Sequence, residues 1–468
     1  MNYETYLSPF TWRYGSPEMR RMWSEANKRR LWRYLWVTLA EVQAQYGLVS
    51  AEQVADLRDH MGEVDVARSL EIEDVIHHDL MAELKAFAEQ ATLGGGILHM
   101  GATSTDIEDN ADVLRMRQSL DLVLVKTGDL LRRFADKIDL WADNPVIGFT
   151  HLQPAEPTTL GYRLATYAQD LLIDWDTLSQ VRANLRGKGF KGAVGTGASY
   201  AELLGTTEEN RTHQLEEFEQ RLSDGLELPF FPVTNQTYPR KQDTVLVSAL
   251  AGLGGTLYKF AFDLRLLQSP PIGEVSEAFG EQQVGSSAMP FKRNPINAEK
   301  IDSLARSLAQ LPRLAWDNAA HSLLERTLDD SANRRTLLPE AFLISDELLR
   351  VTIHIVEGLQ VNQEAMNRNL SIYAPFAGIE RLLMALSRAG ADRQKMHEHL
   401  RKHTMQAWED VKTEQPNPLP EILAQDPDIQ HYLRPEEIKS LLDASQHLGD
   451  APQRARALAD RIREKLNK

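Results

Sequence analysis

The chain contains 468 residues, enough for two or three structural units and too many for one small binding module. A hydrophobic fraction of 42% with 25% charged residues can supply a sizeable core and excludes global disorder, while a net charge of −15 opposes nucleic acid and anionic membranes as partners. With no cysteine, a disulfide framework, a thiolate nucleophile, a zinc–thiolate site and an iron–sulfur cluster are all excluded.

The opening residues, Met1-Asn2-Tyr3-Glu4-Thr5-Tyr6, form neither a basic nor an apolar leader, and no uncharged apolar run approaches membrane-spanning length. A soluble cytoplasmic protein is the expectation. Up to about residue 105 the patterning predicts shorter helices, including an amphipathic segment from Trp23 to Tyr46. Long helices follow. Leu120, Val123, Phe134, Ile138 and Trp141 share one stripe, as do Leu164, Tyr167, Leu171, Trp175 and Leu178. Leu246, Leu250, Leu253, Leu257, Phe260, Leu264 and Leu267 alternate steps of four and three, and Ile301, Leu304, Leu308 and Leu311 mark a helix ended or kinked by Pro312. A further helix is predicted from Glu340 to Gly358. About five helices of roughly 25 to 30 residues would each span about 40 Å. Beyond about residue 356 the chain is more polar, with turn signals at Pro416, Pro418, Pro420 and Pro427 and a basic final helix. The expected fold is all-α: an N-terminal helical domain (1–105), a central long-helix bundle (106–355) and a C-terminal helical domain (356–468).

Between the long helices lie segments dense in Gly, Ser, Thr, His and charge: 101–110, 150–159, 187–200, 234–243, 285–297 and 325–335. In a helical scaffold, end connections of this kind are where binding chemistry is mounted. The strongest is Gly285-Ser286-Ser287-Ala288-Met289-Pro290-Phe291-Lys292-Arg293-Asn294-Pro295. Its Gly-Ser-Ser turn can expose N–H groups and hydroxyls together, while Lys292 and Asn294 add a cationic and a neutral donor, an array suited to a carboxylate that gains negative charge. Gly-Ser-Ser alone would be an ordinary surface turn; the attached Met-Pro-Phe-Lys-Arg-Asn-Pro makes chance agreement implausible. No His-Glu-x-x-His helix is present, His77-His78-Asp79 lacks metal-ligand spacing, and Lys188-Gly189-Phe190-Lys191-Gly192 is neither a Walker A nor a Rossmann loop, so neither metal nor nucleotide cofactor is expected.

At this loop the chain resembles the fumarase/aspartase superfamily. Gly101-Ala102-Thr103-Ser104-Thr105-Asp106, with Asp109-Asn110, and Thr150-His151-Leu152-Gln153-Pro154-Ala155 resemble two further family segments, in the family's order. Within the superfamily the chain is most similar to the adenylosuccinate lyases, through Arg13-Tyr14-Gly15-Ser16-Pro17-Glu18-Met19, His78-Asp79-Leu80-Met81-Ala82, Gln236-Thr237-Tyr238, Arg240-Lys241 and the run from Glu325 to Arg335. That likeness covers most of residues 10–400 and fades in the C-terminal domain. The segment Lys191-Gly192-Ala193-Val194-Gly195-Thr196-Gly197-Ala198-Ser199 departs from the animal-like pattern by lacking one hydroxyl and one amide, and Lys300 stands where that pattern has Arg.

The resemblance implies elimination of fumarate from a succinyl group bound through nitrogen, as in adenylosuccinate or the succinylated carboxamide ribotide. It makes His151 the general acid that protonates the leaving nitrogen and Ser286 the general base, with His78 orienting a substrate carboxylate or phosphate and assisting His151. Lys292 and Asn294 would stabilise the aci-carboxylate. Arg13, Tyr14, Arg326, Ser331 and Arg335 match phosphate-contacting positions, Thr103 and Ser104 a succinyl carboxylate site, and Gln236 a donor to the same moiety. Each alone has a plainer reading: His151 a capping or buried histidine at a helix start, His78 part of a solvated ion-paired helix with His77, Glu71, Glu73 and Asp74, and a lone arginine a surface charge. The family plan also implies a homotetramer with each site built from three subunits, a small-molecule substrate, and no nucleic-acid or membrane partner. The rivals are another lyase of the superfamily (argininosuccinate lyase, aspartase or fumarase), the related carboxymuconate cycloisomerase, and an inactive helical relative of the lens-crystallin kind.

Overall fold

A computed structural model describes residues 4–413 and 415–467. The structure is 67% helix, and among the described residues the strands form two small two-stranded antiparallel sheets, as expected for an all-α protein. The chain divides into two compact units, each assembled from separated stretches: residues 1–127, 174–255 and 303–350 form the first, and 128–173, 256–302 and 351–468 the second.

The predicted apolar stripes become the long helices Ser104–Leu140, Leu160–Asn184 and Lys241–Leu267. Of the seven-membered stripe on the last of these, all but Leu267 are buried. By length and composition alone, Lys241–Leu267 is apolar enough to cross a bilayer, yet its leucines are used in packing. Pro312 does not simply end a helix. The Ile296–Leu308 helix stops before it, and Pro312 sits in the first turn of a new one, Leu311–Ala320, where its missing N–H costs nothing. The helix predicted from Glu340 begins earlier, running Asp329–Glu357 through an internal Pro339. Its first turn carries Asp329 and Asp330, whose negative charge favours a helix N-terminus.

In the first unit, Trp36, Leu39, Val113, Leu114, Leu250, Leu253 and Leu348 are buried, and Gly254 lies close against Leu308 and Leu348. In the second, Phe260 receives Phe134 and Tyr167 edge-on, with both ring centroids 5.4 Å away. A separate leucine-rich cluster, including Leu382, Leu386, Leu400, Leu419, Leu423, Ile438 and Leu442, forms the C-terminal core of this unit.

Gly197, where the sequence departs from the animal-like pattern, adopts φ +70° as the N-cap of helix Ala198–Leu203. An amide-bearing side chain there would meet left-handed backbone strain and the Leu215 side chain.

Candidate active site

In the first unit the Gly101–Asn110 motif opens the Ser104–Leu140 helix rather than forming a loop. Its acidic residues are largely structural. The buried Asp106 accepts from the N–H groups of Thr103 (3.0 Å), Lys191 (3.2 Å) and Gly192 (3.2 Å) and pairs with the buried Lys188 ammonium. Asn110 exchanges both its amide groups with Gly189, at 3.1 Å each. The helix start is thereby locked to the 188–192 segment. Thr105 donates its hydroxyl to the Gln236 carbonyl, and the Gln236 N–H donates to the Glu325 carbonyl (3.1 Å), so three motif segments meet here.

His78 is a helix cap, the plainer role that sequence alone offers for His151. It is the N-cap of Asp79–Gln90, with Nδ1 accepting from the Met81 N–H at 3.4 Å. That bond places the proton of the neutral ring on Nε2, which stands 3.4 Å from Ser104 Oγ. The capping role and a functional one are compatible, because the capping nitrogen is not the one that faces Ser104.

Asp79, Thr105, Glu108, Arg326, Ser331 and Arg335 line one cleft of this unit. Arg335 Nη2 pairs with Asp79 Oδ2 at 2.8 Å; burial works to raise the Asp79 pKa, but this guanidinium holds it below the usual carboxylate range. Asp330 bridges two cations, Arg240 Nε at 2.6 Å and Arg326 Nη1 at 2.8 Å, while Arg240 also grips Asp109 through two contacts of 3.0 Å. Burial likewise opposes ionisation of Asp330, and Arg240 and Arg326 outweigh it. Glu108 is the exception. Burial, then the neighbouring Asp79, Asp109 and Asp112, push it up to about 8, with only Arg335 opposing. At neutral pH the cleft therefore presents arginines paired with the ionised Asp79 and Asp330, the Ser331 hydroxyl, and in Glu108 a carboxyl that adds no further negative charge.

Sequence reading named the arginines but not Asp79, Asp330 or Glu108, which hold or balance them. Asp330 had a local signal, four residues after Arg326. Glu108 had none, because its protonation follows from burial.

Arg13 and Tyr14 lie elsewhere in this unit. The turn that carries them is tied to the 329–357 helix through Gly15 N–H to Glu347 Oε2 (3.1 Å) and Ser16 N–H to Asp346 Oδ2 (2.6 Å). Those acceptors are a dozen residues past Arg335, roughly 18 Å along a helix. Arg13 is exposed, over the Trp12 ring at 5.6 Å, and Tyr14 tilts against Phe10.

In the second unit, the predicted 150–159 connection is a hairpin of Pro145–Thr150 with Gln153–Thr159. His151 and Leu152 form its two-residue turn with φ of +53° and +60°. Paired positive φ values suit the right-handed twist of a hairpin, but for two side-chain-bearing residues each costs roughly 1–2 kcal/mol. The base of the hairpin holds the turn in place: Ile147 is buried with Leu370, Ala374 and Ala444, and Arg163 links the Ile147 carbonyl (2.6 Å) to Glu274 (2.8 Å). His151 thus stands exposed at the hairpin tip.

The 285–295 loop is closed on itself. Asn294 Nδ2 donates to the Gly285 carbonyl at 3.0 Å, committing the amide, and any Cβ on Gly285 would collide with the Lys292 carbonyl oxygen. Ser286 Oγ accepts from the N–H groups of Ala288 (3.3 Å) and Met289 (3.1 Å). Two backbone dipoles aimed at one hydroxyl oxygen favour its alkoxide over its neutral form. The Lys292 side chain is exposed and makes no hydrogen bond or ion pair among the described residues. Lys292 and Asn294 line a second cleft with Arg293 and Phe279; His151 and Ser286 line neither this cleft nor the arginine cleft of the first unit.

Residues 16–309 match the family model described as Lyase, and residues 376–458 match that of the adenylosuccinate lyase C-terminus, in the region where the sequence likeness had faded. The chain is 40% identical over 413 residues to the adenylosuccinate lyase of Schistosoma mansoni, covering 88% of this chain and 85% of that one. The chain belongs to the adenylosuccinate lyase family. A further member, the enzyme of Saccharomyces cerevisiae, is 37% identical over 460 residues, spanning 97% of this chain and 93% of that one. Among solved structures, 3-carboxy-cis,cis-muconate lactonizing enzyme from Pseudomonas putida superposes with a TM-score of 0.85 at 26% identity, over 97% of this chain and 99% of that one. Fumarate lyase from Mesorhizobium sp. BNC1 shares the fold, with a TM-score of 0.82 at 24% identity over 98% and 99% of the two chains.

Proposed function

We propose that the chain releases fumarate from adenylosuccinate, giving AMP, and from succinylaminoimidazole carboxamide ribotide, giving the free carboxamide, as a cytoplasmic homotetramer without a cofactor. The observation that carries this reading is the near full-length identity to adenylosuccinate lyases, in which the C-terminal segment also matches that enzyme's own C-terminal family. The muconate and fumarate enzymes share the fold at 26% and 24% identity, below the 40% and 37% of the adenylosuccinate lyases.

In the reaction, Ser286 as alkoxide takes the proton from the carbon beside a succinyl carboxylate. The electron pair passes through the aci-carboxylate, the C–N bond breaks to leave the fumarate double bond, and His151 gives its proton to the departing nitrogen. Lys292 stabilises the doubly charged carboxylate. The committed amide of Asn294 instead keeps the loop closed around Ser286, with its remaining N–H and carbonyl available to substrate. Thr103, Ser104, His78 and Gln236 receive the succinyl end, and Arg326, Ser331 and Arg335 the phosphate. Arg13 and Tyr14 reach a phosphate from a neighbouring subunit's site, which fits their distance from Arg335 along one chain.

The reading is tested by following adenylosuccinate absorbance with purified protein. Rapid loss with stoichiometric fumarate is the expected result; fumarate release from argininosuccinate with adenylosuccinate untouched would overturn it.

A further inference from the structure

The C-terminal part of the second unit gathers two imidazoles and a carboxylate that the elimination does not use. His399 and His403 stand one turn apart on the Arg393–Lys412 helix, so their rings leave the same face, 4.9 Å apart and almost perpendicular. Asp426 lies between the short helices Leu419–Gln425 and Pro427–Gln430. Each imidazole Nε2 is 2.8 Å from the same Asp426 oxygen, Oδ2, and the three donor atoms all fall within 4.8 Å of one another.

The carboxylate is pre-set. Its other oxygen, Oδ1, accepts the N–H groups of Asp428 (2.9 Å) and Ile429 (3.1 Å), so the group cannot turn away. Leu400, Leu419, Leu423 and Ile429 pack beneath and fix both supporting elements. Asp426 is 9% exposed, while His399 and His403 are 27% and 23% exposed, so the cluster is closed on the core side and open on the other.

Without an ion, both imidazoles hydrogen-bond to a single carboxylate oxygen, using its two lone pairs. With an ion, each nitrogen lone pair and the oxygen find separate use. Metal–ligand bonds of about 2.0–2.1 Å in tetrahedral geometry set adjacent donors about 3.3 Å apart. The 2.8 Å contacts from Oδ2 to each nitrogen are hydrogen bonds, and the donors need open by only about half an ångström to take up an ion. Two imidazoles and one carboxylate on a single face, with the remaining positions open to water, form a donor set for first-row transition ions rather than Mg²⁺ or Ca²⁺.

We infer that His399, His403 and Asp426 form a binding site for a divalent transition ion of the Zn²⁺ class, which clips the 393–412 helix to the turn at 426. It lies outside the elimination chemistry, so its role is to stabilise the C-terminal core.

The test uses full-length protein freed of metal by a chelator. Zn²⁺ is titrated calorimetrically, and Co²⁺ is followed by its visible absorption. The expected result is one ion per chain and a rise in melting temperature on Zn²⁺ addition. Asp426→Asn, whose amide oxygen can still cap the following helix, and the double variant His399→Gln/His403→Gln should each bind at least about tenfold more weakly and lose the Zn²⁺-dependent rise. Because the chain has 13 histidines, the double variant also sets the background for weak surface binding. The proposal fails if wild type binds no more tightly than that double variant, or if Asp426→Asn binds as tightly as wild type. Should Asp426→Asn not fold, the comparison of wild type with the double variant decides.

Discussion

His151 occupies backbone that few side chains tolerate, at the exposed end of a hairpin whose base is buried and ion-paired. Strain at such a position points to use, because a turn selected only for stability would carry glycine there. Replacing His151 or Ser286 by alanine should lower turnover at least roughly a hundredfold while leaving the melting temperature nearly unchanged. Steady-state assays and thermal melts on the same preparations check both halves. Glu108 gives a pH signature. In the folded chain its carboxyl holds a proton up to about pH 8, whereas the unfolded chain releases it near its ordinary 4.5. Between those values folding takes up a proton, so rising pH erodes stability, and above about 8 the penalty stays constant. Glu108→Gln removes that loss. Its melting temperature should therefore gain on wild type from pH 5 to pH 8 and then hold a fixed margin; a margin independent of pH would contradict the assignment. The motif residues could be named from sequence because their types and spacing are local. Glu108 and Asp79 could not, since their importance depends on which charges folding brings beside them, whereas the spacing of Asp330 from Arg326 was a local signal left unused.

At the scale of elements, helix existence was legible and helix starts were not. The stripes on Ser104–Leu140, Leu160–Asn184 and Lys241–Leu267 follow from period alone. Glycine, serine and threonine near Gly101 and acidic residues near Asp329 read as loops, yet they lie at or inside helix N-termini, where short polar side chains and negative charge are favoured. Pro312 likewise serves as a first-turn residue. The i, i+4 spacing of His399 and His403 went unread, and their third partner comes from a separate turn that no local pattern announces. The 285–295 loop gives a sharp element-level expectation. Gly285→Ala must displace the Lys292 carbonyl, opening the loop that aims two N–H groups at Ser286 Oγ. Turnover should fall at least roughly tenfold with little change in melting temperature, since the loop is largely exposed. Unchanged activity in this variant would show that the closed loop is not the working one.

At the scale of the whole molecule, the candidate residues divide between the two units. The arginine cleft and the Arg13-Tyr14 turn belong to the first, the Lys292 cleft and the His151 turn to the second. Composite sites in a homotetramer would reconcile this, and mixing makes the idea testable. When inactive His151→Ala and Ser286→Ala proteins are dissociated together and reassembled, hybrid tetramers should regain a measurable fraction of wild-type activity, because some sites draw both intact residues from different copies. No recovery, with hybrids verified by native mass spectrometry, would place acid and base on the same subunit.

The bare tip of the hairpin carries one more consequence. If, as proposed, His151 is the proton donor and a neighbouring copy closes around it, catalysis becomes a property of concentration as well as of sequence. Progressive dilution should silence the preparation before any copy unfolds, and concentrating it again should restore the rate after a lag set by reassembly.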